Sequence, residues 1–169
     1  MKTIIRNATI VNEGRRFIGS VVIEDETIQQ VLEGDDSTQI YDTEIDATGL
    51  YLFPGVIDDH VHFREPGLTH KADIASESRT AAAGGVTSFM DMPNTNPPTT
   101  TIELLEEKFR IAEKNSRINY SFFFGASNEN TDALVKLDRQ RIPGVKAFTG
   151  SSTATTPVDR EASLRTLFA

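Results

Sequence analysis

The chain has 169 residues, 38% hydrophobic and 25% charged, with a net charge of -8, an ordinary balance for a globular protein. The acidity and the want of any Lys/Arg cluster exclude a nucleic-acid surface, and zero cysteines exclude a disulfide scaffold or a thiolate zinc site. The opening Met1-Lys2-Thr3-Ile4-Ile5-Arg6-Asn7 is no leader and no apolar run reaches about 18 residues, so no membrane contact is expected and a cytoplasmic setting is the default.

Residues 1–53 read as part of a small β-sandwich domain. Ile4-Ile5, Thr9-Ile10-Val11, Val21-Val22-Ile23 and Ile28-Gln29-Gln30-Val31 are short β-prone runs. Asn12-Glu13-Gly14, Glu24-Asp25-Glu26 and Gly34-Asp35-Asp36-Ser37 are the expected turns between them, and Leu50-Tyr51-Leu52 is a further short strand.

From residue 54 to 169 the rhythm becomes strand, loop, helix, repeated. The first strand is expected over 55–63, followed by a helix at about 71–83 stopped by Gly84-Gly85. Val86 to Met92 is the second strand. Thr100 then heads a capping box with Glu103, and Ile102, Leu105, Phe109 and Ala112 share one helical face. Ile118 to Gly125 is the third strand, residues 130–140 a weaker helix, and Val145 to Thr149 the fourth strand. Thr156-Pro157 begins a last helix.

Alternating βα units mean a parallel sheet flanked by helices. No Gly-x-Gly-x-x-Gly follows the first strand, and polar residues stand instead at several strand ends, as in a (β/α)₈ TIM barrel. The expected fold class is therefore α/β, the first four βα units of an incomplete barrel behind the β segment. A whole barrel takes about 250 residues, so the sequence reads as the front half of a longer protein.

The chemistry gathers at Asp58-Asp59-His60-Val61-His62-Phe63-Arg64-Glu65-Pro66-Gly67. Strand alternation sends Asp58, His60, His62 and Arg64 to one face and Ile57, Val61 and Phe63 to the other. His60 and His62 are either two metal ligands or two hydrogen-bonded imidazoles on a half-exposed strand. Arg64 either forks onto a substrate carboxylate or pairs at the surface. Asp58 shares the histidine face and could orient an imidazole, whereas Asp59 alternates away and His70 reads as a solvated loop residue. Lys146 lies in an otherwise uncharged strand. Its amine either forms a carbamate able to bridge two cations or pairs with a carboxylate at the barrel mouth. Asn94, on a proline-braced loop, is either a polar contact for a ligand or a turn residue.

The His60 stretch, Met92-Pro93-Asn94-Thr95-Asn96-Pro97 and Ala81-Ala82-Ala83-Gly84-Gly85-Val86-Thr87 together resemble dihydroorotase, in the amidohydrolase superfamily. The Met-Pro-Asn-Thr element sets the pattern apart from allantoinase, and the Arg-Glu-Pro-Gly after His-x-His sets it apart from the hydantoinases and dihydropyrimidinases. The resemblance implies reversible closure of N-carbamoyl-L-aspartate to L-dihydroorotate in pyrimidine synthesis, by a hydroxide that two zinc ions activate. By that likeness His60 and His62 bind one Zn²⁺ and carboxylated Lys146 bridges to a second. Arg64 and Asn94 hold the substrate's α-carboxylate, and the enzyme is a homo-oligomer. The family's later histidine ligands and its catalytic aspartate are not among these residues, so the chain alone is expected to be catalytically incomplete. Two other readings compete: a different cyclic-amide hydrolase, and a non-catalytic scaffold of the same fold.

Overall fold

The computed structural model describes residues 1–34, 39–150 and 157–168. Internal contacts divide the chain into Met1–Pro54 and Gly55–Ala169.

In the first unit β1 (Lys2–Asn12), β2 (Arg15–Glu24) and β3 (Thr27–Glu33) form antiparallel hairpins, and β4 (Thr43–Asp46) and β5 (Tyr51–Leu52) pair parallel to β1. The sheet order is β3-β2-β1-β4, with β5 also on β1. The first hairpin turns through Glu13 and Gly14, both at positive φ (49° and 72°), the twist a two-residue loop needs. The second turns at Asp25. Of the third expected turn, Asp35, Asp36 and Ser37 lie outside the described residues.

The two runs expected at Ile4-Ile5 and Thr9 to Val11 are one strand with a bulge. Between Ile5 and Ala8 the register slips by one residue, with Asn7 at φ 59°. One extra residue reverses every later side chain. Ile4 therefore packs with Val22 and Tyr41, while Ala8 and Ile10, of the same parity, pack with Val21 and Ala47.

The second unit runs β6 (Val56–Val61), α1 (Ile74–Ala83), β7 (Val86–Asp91), α2 (Ile102–Asn115), β8 (Asn119–Phe122), β9 (Phe124–Gly125), α3 (Thr131–Leu134), β10 (Val145–Lys146) and α4 (Glu161–Leu167). The strands pair parallel in chain order, β6 to β7 to β8 and β9 to β10. Only Phe123 separates β8 from β9, and its N–H still donates to Asp91 O at 3.0 Å. Neighbour-to-neighbour parallel order is what a barrel requires; a doubly wound sheet reverses direction partway.

The core lies between the strands and helices α1 and α2. Phe63, Ile74, Phe89, Leu105, Ala112, Phe122 and Phe124 are buried together, and the Phe63 and Phe89 rings stand 4.4 Å apart. Gly84 caps the end of α1, and Gly85 at φ 88° turns the chain into β7.

Several boundaries differ from the sequence reading. The cap of α2 is Thr101, whose hydroxyl accepts from Leu104 N–H at 3.3 Å, so the box expected from Thr100 to Glu103 does not form. The helix expected over 130–140 is a single turn. Asp138 accepts the N–H of Gln140 at 2.9 Å, a local turn that competes with helix. β10 stops at Lys146 because its partner β9 is two residues long. Thr156 is outside the described residues, and α4 starts at Glu161, because Val158 gives its N–H to Phe148 O at 2.8 Å in extended chain.

Candidate functional site

Strand β6 delivers its histidines at its C-terminal end. Against β7 it pairs Asp58 with Phe89 and Val61 with Asp91, three steps on one strand and two on the other. That bulge breaks the uniform alternation expected from Ile57 to Arg64. Val61 and Phe63 pack at the core, but Ile57 is 62% exposed and takes no part in it. His60 and His62 still fall together, with ring centroids 5.5 Å apart and planes at 60°. The Asp58 carboxylate accepts the backbone N–H of His60 at 3.2 Å, so it braces the strand instead of an imidazole. Asp59 and His70 are exposed.

The segment around His62 is pinned on both sides. Val61 O accepts Met92 N–H at 3.0 Å, and Phe63 N–H donates to Asp91 Oδ1 at 2.9 Å. Although His62 is exposed, partial desolvation and the Arg64 guanidinium push its pKa below the usual histidine value, while Asp91 pulls the other way. A neutral imidazole is the ligating form. The pair would supply two donors to a divalent cation. Among the described residues no three His, Asp or Glu side chains converge, so this face offers two ligands and not a complete shell.

Arg64 sits at φ 67°, a left-handed conformation that a side chain other than Gly resists. Its loop holds that shape by its own bonds. Leu68 N–H donates to Arg64 O at 3.1 Å, and the Glu65 carboxylate accepts Ile74 N–H at 2.9 Å, tying the loop to the start of α1. The Asp73 carboxylate caps the same helix through Ser76 N–H at 2.7 Å.

The Asn94 loop is clasped to the Arg64 loop. Asn96 N–H donates to Pro66 O at 3.2 Å, and Gly67 presses so closely on Asn96 that no side chain fits there. Within the Asn94 loop, Thr95 Oγ1 donates to Pro97 O at 2.9 Å and Thr99 N–H donates to Pro93 O at 3.1 Å. Among the described residues Asn94 Oδ1 is buried without a hydrogen-bond partner. That oxygen is an acceptor, so only the Nδ2 amide nitrogen of Asn94 could donate to a carboxylate.

Lys146 stands at the end of β10, half-buried, with Nζ 5.2 Å from the centre of the Phe148 ring. The two loops and the histidine pair thus form one neighbourhood at the ends of β6 and β7. Lys146 joins it only by occupying the corresponding end of a strand further along.

One feature of this neighbourhood escaped the sequence reading. Lys108 and Asp91 are both fully buried, with Nζ 2.6 Å from Oδ2. Lys108 also donates to Met92 O at 2.9 Å and lies 4.9 Å from the centre of the Phe122 ring. Its position on the apolar stripe, between Leu105 and Ala112, was the signal.

The Amidohydrolase family matches residues 51–159, more than half of the chain. The chain belongs to this family. Among amidohydrolase relatives, a dihydroorotase of Lactobacillus acidophilus is 38% identical over 135 residues, covering 80% of this chain and 31% of the relative. An allantoinase of Deinococcus radiodurans is 44% identical over 109 residues, covering 64% of this chain and 24% of the relative. The solved L-hydantoinase (dihydropyrimidinase) of Arthrobacter aurescens superposes with a TM-score of 0.89 at 26% identity, over 98% of this chain and 37% of that one. The chain spans about a third or less of the length of these relatives. Its βα units are those of the amidohydrolase TIM barrel. Among the described residues no helix is long and apolar enough to cross a membrane.

Proposed function

We propose that the intact protein is a dihydroorotase, closing N-carbamoyl-L-aspartate to L-dihydroorotate and reopening it, and that this chain carries one side of its site. The observation that supports the reading is the clasp at Gly67 and Asn96. It joins the loop of Arg64 to the loop of Asn94 beside the paired imidazoles. In ring closure the carbamoyl nitrogen bonds to the side-chain carboxyl carbon and water leaves. The α-carboxylate takes no part and remains as a handle.

Arg64 offers two parallel N–H donors to that carboxylate. Asn94 presents an amide on a loop whose shape is already set, so little entropy is lost on binding. His60 and His62 would hold one Zn²⁺. Lys146 would bridge to a second as a carbamate, its neutral amine adding CO₂ and releasing a proton. Zinc bound there supplies Lewis acidity to the ring carbonyl and lowers the pKa of water. A cytoplasmic homo-oligomer agrees with this role. So does the breadth of the likeness: the matches to relatives named dihydroorotase cover 79% to 88% of this chain, against 64% for the allantoinase.

A second reading is allantoin hydrolysis, favoured by the 44% identity to the Deinococcus allantoinase. Steady-state assays of the intact protein on dihydroorotate, allantoin and hydantoin decide between them. Dihydroorotate should give the highest kcat/KM. A preference of more than about tenfold for either other ring overturns the first reading.

A further inference from the structure

Buried opposite charges are expensive to desolvate and are often replaceable by apolar residues without loss of stability. The Lys108–Asp91 pair therefore invites a reason beyond stability. Its two ends are not equivalent. Asp91 Oδ2 faces the Lys108 ammonium, 2.6 Å from Nζ. Oδ1 is left to accept the N–H of Phe63 at 2.9 Å. Lys108 spends another proton on Met92 O at 2.9 Å, and Met92 N–H in turn holds Val61 O at 3.0 Å. The pair thus fixes the backbone at Val61 and at Phe63, the residues on either side of His62.

That support stands where the strand most needs it. The β6 bulge ends at Val61, so regular pairing with β7 carries register no further than Val61 and Asp91. Beyond that point the chain enters Arg64 at φ 67°. Without an acceptor at Phe63, the backbone around His62 would be held on one side only, by the Val61–Met92 bond.

We infer that Asp91 is a positioning residue that sets the His60 and His62 imidazoles at ligating separation, its buried charge neutralised by Lys108 from α2. This rests on the reading of those histidines as metal ligands. Asp91 makes the contact to the strand, and Lys108 compensates its charge in the core.

The test is Zn²⁺ titration of the intact apo-protein, read by competition with a chromophoric chelator, beside urea unfolding of each variant. Asp91→Leu with Lys108→Met removes both charges and the Phe63 acceptor, with methyl groups in place of the carboxylate oxygens. It should fold with near-native stability yet bind Zn²⁺ roughly 10- to 100-fold more weakly. Asp91→Asn with Lys108→Met restores an acceptor without charge and should return most of that affinity. Native affinity in the Leu/Met variant overturns the inference, and so does equal weakening in both double variants. If the Leu/Met variant fails to fold, the Asn/Met variant alone decides: loss of zinc there despite native stability overturns it. The separate variant His60→Ala with His62→Ala tests the ligand reading itself. Unchanged zinc binding in that variant overturns the metal site, whatever the Asp91 variants do.

Discussion

The carbonyl of Asn96 occupies the space where a side chain on Gly67 would begin. Gly67 also sits at φ 80°, so it meets two separate demands. Gly85 meets only the second, at φ 88° with open space around it. Gly85→Ala should cost about 1 kcal/mol, the usual penalty for a left-handed alanine. Gly67→Ala should cost distinctly more and should also raise KM for the substrate, because the Arg64 and Asn94 loops must part. Urea unfolding of the two variants with parallel kinetics checks this; equal destabilisation would mean the clasp gives way freely.

The aromatic cluster behind the strands should be the most sensitive part of the barrel unit. Phe89 is 1% exposed, 4.4 Å from the Phe63 ring and 6.3 Å from Phe122 and Tyr120. Phe89→Ala leaves a cavity under β6 and β7 and should cost roughly 3–5 kcal/mol. Phe89→Leu should cost less than half as much. Chemical denaturation of both variants is the measurement.

Much of the fold was legible because periodicity and punctuation agreed. The apolar stripe of α2, the Gly84-Gly85 stop and the β-branched run of β7 each mark an element by local chemistry. The closeness of His60 and His62 was legible for the same reason, as two imidazoles two apart at a strand end. What was not legible depended on partners distant in sequence. The bulges at Asn7 and at Asp59-His60 are visible only in the register against β2 and β7, and they decide which of Ile4, Ala8 and Ile57 are buried. Asp91 and Lys108 stand on different elements 17 residues apart, and nothing local marks them as a pair. Each is buried because the other is there. The shared loop cradle was equally hidden, since the contact of Gly67 with Asn96 spans 29 residues of sequence that say nothing of their meeting.

Acid should weaken α1 in a defined way. Hydrogen bonds from the Ser76 backbone and hydroxyl hold the Asp73 carboxyl below its ordinary 3.8. A depressed carboxylate stabilises the fold above its unfolded pKa, and that share is lost as pH falls through the folded value. Asp73→Asn keeps a capping oxygen but has nothing to titrate. The native protein should therefore exceed the Asn variant in stability at about pH 7, and the gap should close toward about pH 3. Urea midpoints across that range provide the check. A constant gap would mean that the charge on Asp73 does not contribute.

Arg64 carries backbone strain at the position proposed to bind substrate, so stability and activity should part company there. A left-handed residue other than Gly costs roughly 1–2 kcal/mol. Arg64→Gly relieves that strain, offset in part by the larger entropy of glycine in the unfolded chain. Arg64→Ala keeps the strain and loses the guanidinium. The Gly variant should therefore be about 1 kcal/mol more stable than the Ala variant, while both lose activity to a similar degree. Arg64→Lys keeps a charge but not the planar fork, and should recover only a small part of kcat/KM. Unfolding midpoints and kinetics on dihydroorotate measured for all three separate the two effects. An Ala variant with native kcat/KM would remove Arg64 from the site, and a Gly variant no more stable than Ala would remove the strain.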